Sequence, residues 1–148
     1  MKTATRLLRV LIIFIISQTF TQAQRNIKTD DVLTTMKKAS NYMVETVSTY
    51  GGYVWYYTED LSEHFGEVPA RKSQIWVQGP GTPAMGHLFL DMHETTGDDT
   101  YLEYAKKAAD ALVYGQHPLG GWHYLIDFDI RGLEDWYKNI ASQYFQGW

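Results

Sequence analysis

Flat aromatic rings are the side chains of this sequence whose type and number most favour ligand binding. The chain has five Trp and eleven Tyr, and most of them follow residue 50. Such rings combine an apolar face with a polar edge, which suits the stacking of a sugar ring. The predicted members of a sugar platform are Trp55, Trp76, Trp122 and Tyr124. The alternative is that these rings pack between helices.

Two glycine pairs, at 51–52 and 120–121, precede these aromatic segments. Each pair is followed by aromatic residues and then by a carboxylate, Asp60 in the first copy and Asp127 in the second. Glycine allows the backbone to approach another backbone or a ligand closely. The two carboxylates are therefore predicted to bind a sugar hydroxyl or calcium, with the capping of the following loop as the alternative.

The sequence contains only weak patterns for a metal site or for nucleophilic catalysis. His87 and Asp91 are one helical turn apart, and Glu94 follows a further turn along nearly the same face. This spacing is a possible start of a metal site, but no second histidine completes it, so the metal ligands stay unknown and a solvated helix face is the alternative. No serine lies in a nucleophile-elbow context, and the chain has no cysteine.

The N-terminal 23 residues have the pattern of a secretory signal peptide. Lys2, Arg6 and Arg9 precede the short apolar run 10–16, and Thr21-Gln22-Ala23 offers a cleavage site. The run is too short for a stable transmembrane helix, although an uncleaved anchor is the alternative. Residues 1–23 are thus predicted to be removed, and the protein is predicted to be secreted, periplasmic or located in the cell envelope.

Cleavage would leave 148 − 23 = 125 residues and change the formal charge from −4 to −4 − 3 = −7. A mildly acidic exported protein has no general attraction to nucleic acid or to an anionic membrane surface. Neither nucleic acid nor, after cleavage, a membrane is therefore expected as a partner. Without cysteine there is no disulfide framework, so packing alone must hold the fold.

Helical patterns must position the aromatic segments. Apolar residues at helical spacing predict a helix from about residue 30 to 49, and two further helices on either side of Gly97. Thr82 as N-cap and Pro83 in the first turn would start the second helix, and Asp98 or Asp99 would start the third. A last helix begins near Leu133 and continues toward the end of the chain. The aromatic segment from the first glycine pair to about Asp60 and residues 75–77 are predicted to be extended, and residues 61–74 and 123–132 irregular.

The segment from Pro83 to Trp122 resembles the hairpin unit of α/α-toroid proteins. It combines Pro-Ala-Met-Gly, an apolar helix, the Glu94–Asp98 turn, an alanine-rich helix and a final Gly-Gly-Trp. With the first Gly-Gly-aromatic segment, residues 30–130 most resemble the polygalacturonate (pectate) lyases built on that toroid. The resemblance implies an all-α fold of antiparallel helical hairpins, with residues 24–148 forming the N-terminal part of an incomplete barrel.

The same resemblance implies β-elimination of a polyuronate. The catalytic base of such lyases is an arginine, and calcium neutralises the carboxylate of the sugar. Arg71 and Arg131 are the arginines that lie in loops beside aromatic residues, and they are the predicted catalytic residues. An acidic polysaccharide or oligosaccharide is the implied partner, and calcium is the implied cofactor.

Two other functions remain open. The segment before Thr82 has no counterpart of the Asn-Asp-Asp stretch found in those lyases, which favours a non-catalytic glycan-binding module. A toroidal sugar epimerase or glycoside hydrolase would instead use a histidine or glutamate at the cleft. His123, beside Trp122, is the candidate for that role.

Overall fold

The computed structural model describes residues 28–144, and the predicted signal peptide lies outside them. The chain divides into two compact units between Ala39 and Ser40. The elements in chain order are α1 (Thr29–Tyr42), a π-helical turn (Met43–Val47), β1 (Tyr56–Tyr57), β2 (His64–Phe65), β3 (Pro69–Ala70), β4 (Gln74–Trp76), α2 (Thr82–Thr96), α3 (Asp99–Tyr114), β5 (Leu125–Asp127), α4 (Leu133–Trp136), a second π-helical turn (Tyr137–Ala141) and α5 (Ser142–Tyr144). No helix within the described range is long and apolar enough to cross a membrane.

The expectation of an all-α helical-hairpin fold is wrong. About 53% of the described residues are helical, but five short strands form two small antiparallel sheets. One sheet has the order β1-β2-β3, and the other pairs β4 with β5 through Gln74↔Asp127, Ile75↔Ile126 and Trp76↔Leu125. The protein is therefore a mixed α and β structure.

The strands lie largely within segments that were predicted to be irregular. Strands β2 and β3 fall in residues 61–74, and β5 falls in residues 123–132. Strands of two or three residues are too short to show the alternation by which a strand is recognised in a sequence. Extended backbone was predicted for β4, because residues 75–77 form an apolar stretch before the Gly-Pro-Gly loop. It was also predicted for the aromatic segment after the first glycine pair, which contains β1.

Helices α2 and α3 form the predicted antiparallel hairpin. Gly97 ends α2 in the left-handed conformation (φ 70°), and its N–H donates to the carbonyl of His93. Asp98 starts α3, since its side chain accepts a hydrogen bond from the N–H of Thr100 at 2.9 Å. The helices approach closely at Gly86, where an added Cβ would lie 3.5 Å from Cβ of Ala108. These caps and this close contact confirm the predicted turn.

Thr82 has a different role from the predicted N-cap. Gly81 precedes α2, and Thr82 is the first residue of the helix. Its hydroxyl group accepts a hydrogen bond from the N–H of Tyr53 at 2.9 Å and donates one to the carbonyl of Tyr53 at 3.1 Å. The side chain thus joins the start of α2 to the extended segment after the first glycine pair.

Three buried clusters make up the core of the described residues. The first joins the π-helical turn Met43–Val47 to the α2–α3 hairpin through Val44, Tyr53, Phe89, Tyr101 and Ala105. The second lies between the small sheets and the last helix, and contains Val54, Val68, Trp76, Trp136 and Ala141. The third, Ile75, Ala111 and Ile126, attaches the β4–β5 pair to α3. The helices are therefore packed against the strands, and the fold is not a helical layer alone.

The two glycine pairs are not structurally equivalent. Tyr50 and Gly51 are the central residues of a tight turn, with φ of 51° and 86°, and Thr49 and Gly52 exchange two backbone hydrogen bonds of 2.9 Å. Positive φ at both central residues is typical of a type I′ turn. At residues 120–121 both glycines also have positive φ, but an added Cβ would meet no atom within 4 Å. The first pair is closely packed and the second is open.

The last helix starts at Leu133, as predicted, after Gly132 in the left-handed conformation. Trp136 in its first turn is buried, and its indole N–H donates to the carbonyl of Pro69 at 3.0 Å. This contact fixes the helix against the strand β3. The predicted continuation to Trp148 passes outside the described residues after Tyr144.

Candidate functional site

Arg71, a predicted catalytic base, is held by three acceptors at once. Its Nη1 donates to Oδ2 of Asp127 and to the carbonyl of Asp129, both at 2.7 Å. Its Nη2 donates to the carbonyl of Arg131 at 2.6 Å. The guanidinium group therefore links the end of β3 to the loop after β5, and its N–H groups are directed at protein atoms.

Asp127, a predicted ligand of calcium or a sugar, is the buried partner in this link. Its side chain is 2% exposed. Besides Arg71, Oδ2 accepts a hydrogen bond from Nε2 of Gln74 at 3.1 Å, while Oδ1 accepts one from the N–H of Asp129 at 3.0 Å. Both carboxylate oxygens are thus satisfied by donors, and Arg71 supplies the positive charge. Asp127 therefore does not fit the role of a calcium ligand.

Arg131, the second predicted catalytic residue, lies at the surface. Its side chain is 89% exposed and is paired with Asp129, with Nε 2.8 Å from Oδ1. The hydrogen bonds between these side chains raise the pKa of Arg131 and lower the pKa of Asp129. The structure therefore brings Arg71, Arg131 and Asp127 together in a hydrogen-bond network to which Arg131 contributes its backbone carbonyl.

Asp60 belongs to a separate, exposed turn. Its Oδ1 accepts hydrogen bonds from the backbone N–H of Ser62 at 3.0 Å and from the hydroxyl of Ser62 at 2.7 Å. Hydrogen bonds from the side chains of Thr58 and Ser62 lower the pKa of Asp60 to about 2. The carboxylate therefore stabilises its own turn, which is the alternative considered for the glycine-pair carboxylates. No hydrogen bond between described residues joins Asp60 to Asp127.

Trp76 lies in the interior of the protein, and Trp55, which is partly buried, packs against it. Trp76 is 0% exposed, and its ring fills the space where a side chain at Gly66 would be. Trp55 contacts it edge-on, with ring centroids 6.0 Å apart, and donates its indole N–H to the carbonyl of Gln78 at 3.2 Å. Trp76 presents no ring face to a ligand, and its position matches the packing alternative.

Trp122 and Tyr124, in contrast, are at the surface. Trp122 is 46% exposed, yet its indole N–H donates to the carbonyl of Leu112 at 2.7 Å. Tyr124 is 61% exposed, and its backbone carbonyl accepts a hydrogen bond from the N–H of Val77 at 2.9 Å. A hydrogen bond thus holds the ring of Trp122 and another holds the backbone of Tyr124, while much of the surface of both rings remains open to solvent. These two residues have the properties that a stacking platform requires.

The structure also contains a stack of three rings that the sequence did not predict. The ring of Phe128 lies between those of Tyr50 and Tyr114, with centroid distances of 4.5 Å and 4.6 Å. Both tyrosines are largely exposed. The signal in the sequence was the position of Tyr50 directly before the glycine pair, where a tight turn projects its side chain. Its partner Phe128 could not be inferred, because the contact spans 78 residues.

The structure does not support a metal centre formed by His87, Asp91 and Glu94. Within residues 28–144, no three His, Cys, Asp or Glu side chains are grouped closely enough to hold a metal ion. His87 instead lines a shallow groove between α2 and α3, together with Gly86 and Leu90. The solvated helix face remains the simpler interpretation of this spacing.

His64 in β2 is the described histidine with the most unusual environment. It is buried, its ring contacts Tyr57 edge-on at 4.9 Å, and its Nδ1 has no hydrogen-bond partner among the described residues. Burial, together with the positive charge of Lys72, lowers the pKa of His64. This environment thus disfavours the charged form of His64. No sequence motif marked it.

Comparison of the chain with models of protein families, with curated proteins and with solved structures finds no match in any of the three. The resemblance to pectate lyases therefore remains a prediction.

Proposed function

We propose that this chain is an exported polysaccharide-binding protein and that Trp122 and Tyr124 form its sugar platform. The main support for the proposal is the geometry of Trp122. Its indole N–H donates a hydrogen bond to the carbonyl of Leu112, and nearly half of its surface is exposed. The ring is thus held in one orientation and still accessible. Export is carried over from the predicted signal peptide.

A fixed, exposed ring supports binding for a simple energetic reason. A ligand that stacks on a mobile side chain must first restrict its rotamers, which costs about 0.5–1.5 kcal/mol for each immobilised side chain. The hydrogen bond to Leu112 has already restricted Trp122 in the free protein. The C–H groups on one face of a sugar ring can then displace water from the indole without that cost. Tyr124, two residues further on, is also exposed and supplies the second ring of the proposed platform.

Binding without catalysis is favoured by the position of Arg71. A general base must come within hydrogen-bond reach of the proton it removes. Arg71 is instead directed at Asp127 and at two backbone carbonyls, and Arg131 is paired with Asp129. Lyase chemistry in this protein would therefore require a base other than Arg71. The polyuronate implied by the family resemblance remains one of the polysaccharides to be tested.

The proposal can be tested by measuring the affinity of the purified protein for polygalacturonate, xylan, mannan and a β-glucan. We expect binding to at least one of them, and we expect Trp122→Ala to weaken it by about tenfold or more, since a lost contact of 1.4 kcal/mol is a factor of ten. Tyr144→Ala, which removes an exposed ring from the last helix, is the matched control and should leave affinity unchanged. Absence of binding to every polymer, with the protein folded, would reject the proposal.

A second measurement separates binding from lyase action. The protein is incubated with polygalacturonate in calcium and in chelator, and the ultraviolet absorbance of unsaturated uronide ends is followed. We expect no increase in either condition. A calcium-dependent increase would overturn the non-catalytic proposal, and its loss in Arg131→Ala but not in Tyr144→Ala would then identify Arg131 as part of the active site.

A further inference from the structure

A mixed polar and apolar groove of about 320 Å³ lies between the Tyr50–Gly51 turn and helix α3. Its lining residues are Val44, Ser48, Tyr50, Gly51, Lys107 and Asp110. We propose that this groove is a second subsite, which binds one uncharged sugar unit of the polysaccharide through the ring of Tyr50 and the carboxylate of Asp110. This inference rests on the proposed function, and it narrows the class of sugar.

The turn that forms one wall of the groove is fixed against the helix. A Cβ added to Gly51 would lie 2.5 Å from the carbonyl oxygen of Lys107, so the turn touches the helix backbone directly. Thr49 and Gly52 close the turn with two hydrogen bonds of 2.9 Å. The groove is therefore preformed, as is usual for small-molecule sites, and its volume is at the lower end of their range of about 300–1,000 Å³. Such a volume suits a single sugar unit.

The ring of Tyr50 is also held in place. One face stacks on Phe128 at 4.5 Å, and Phe128 in turn stacks on Tyr114 near the end of α3. Tyr50 is otherwise largely exposed, so it can contact a ligand in the groove. Trp122 is hydrogen-bonded to Leu112 of the same helix. Helix α3 therefore carries the groove in its middle and the Trp122 platform at its end.

The charges around the groove distinguish between classes of sugar. Nζ of Lys107 is 3.2 Å from Oε1 of Glu45 and 5.7 Å from the centre of the Tyr104 ring, so its charge is largely offset. No hydrogen bond or ion pair with another described residue engages the carboxylate of Asp110. A carboxylate with two free oxygens accepts hydrogen bonds from neighbouring hydroxyl groups. The same negative charge repels a uronate, so the groove favours an uncharged sugar.

The test compares neutral hexasaccharides (gluco-, xylo- and manno-) with hexagalacturonate, by calorimetry on the full chain. We expect the best neutral ligand to bind more tightly than hexagalacturonate, and we expect Asp110→Asn to weaken it by about tenfold. Asp91→Asn, the same substitution on α2 outside the groove, should leave affinity unchanged. Tyr50→Asn removes the ring and keeps a residue that tolerates positive φ, so it tests stacking without disrupting the turn.

The outcomes separate this inference from the proposed function. Loss of binding in Trp122→Ala, with no effect of Asp110→Asn and Tyr50→Asn, would overturn the groove and leave the platform intact. Tighter binding of hexagalacturonate than of every neutral ligand would also overturn it. No binding of any oligosaccharide or polysaccharide would instead reject the proposed function, and the groove with it.

Discussion

The side-chain hydroxyl of Thr82 hydrogen-bonds to both backbone polar groups of Tyr53, and both residues are almost completely buried. Thr82, at the start of α2, thus satisfies the backbone N–H and carbonyl of Tyr53, as the backbone of a neighbouring strand would in a sheet. The carbonyl of Tyr53 has a second partner in the N–H of Trp76 at 2.8 Å, but its N–H depends on Thr82 alone among the described residues. The hydroxyl group of Thr82 is therefore the described acceptor that satisfies this buried N–H.

Thr82→Val should destabilise the protein, because it leaves the buried N–H of Tyr53 without an acceptor while changing the side-chain volume little. We expect the free energy of unfolding to fall by about 1–3 kcal/mol, measured by urea denaturation. Thr35→Val is the control, since the exposed hydroxyl of Thr35 bonds only to the carbonyl of Asp31 in its own helix. Its effect should lie within about 0.5 kcal/mol. Equal effects of the two substitutions would show that the Thr82 contact carries no stability.

Arg71→Ala should be among the most destabilising surface substitutions, because it leaves the buried charge of Asp127 without its cation. Removal of one partner of a buried ion pair typically costs about 3–5 kcal/mol, and the partial exposure of Arg71 places this pair at or below the lower end. Arg131→Ala removes an arginine whose pair with Asp129 is exposed and screened by solvent, so we expect a much smaller loss than for Arg71→Ala. Thermal and urea unfolding of both variants would check this. Equal stability of the two variants would contradict the structural role assigned to Arg71.

Gly51→Ala and Gly120→Ala should differ although both glycines have similar positive φ. Both substitutions incur the backbone cost of a left-handed alanine, about 1–2 kcal/mol. Only at residue 51 does the new Cβ collide with the backbone of Lys107, which should add about 1–3 kcal/mol. Chemical denaturation of both variants measures the difference. A larger loss at Gly120 would show that the open glycine pair, and not the packed one, is essential to the fold.

Stability should rise with pH through the range in which His64 titrates. Burial lowers the pKa of His64, so below about pH 6.5 the unfolded chain takes up a proton that the folded protein does not. The free energy of unfolding should therefore fall as pH decreases from about 6.5 toward the pKa of the folded state, and should show no His64 contribution above pH 6.5. Urea denaturation at pH 5 and pH 7.5 measures the change.

The substitution His64→Phe should remove most of this pH dependence, while His123→Gln, at an exposed histidine, should retain it. The quantity compared is the slope of the unfolding free energy with pH, and not the absolute stability of either variant. A slope unchanged in His64→Phe would mean that other groups cause the dependence.

The helical part of the fold could be predicted because its signals are local. Gly97, Asp98 and Leu133 mark helix ends through turn and capping preferences that are expressed within a few residues. The small sheets could not be predicted, because the register Ile75↔Ile126 joins residues 51 positions apart and each strand has at most three residues. The all-α expectation failed for that reason.

For the candidate site, too, the sequence indicated only features that depend on local composition. Trp122 and Tyr124 belong to a segment whose composition already indicated a partly exposed aromatic surface. Trp76 has the same chemistry but lies in the core, and only tertiary packing against Trp55 and Gly66 distinguishes it. The apparent symmetry of the two glycine pairs was misleading because identical dipeptides can occupy a packed turn or an open loop.

The three hydrogen bonds of Arg71 also have a consequence for the order in which the protein folds. They join residues that are 56 to 60 positions apart, across the whole α2–α3 hairpin. Closing so long a loop is entropically unfavourable until the intervening chain has become compact, whereas the hairpin depends on contacts between neighbouring segments. The Arg71 link should therefore form late, after α2 and α3 have associated. The loop that follows the aromatic platform would then be among the last parts of the protein to acquire its native conformation.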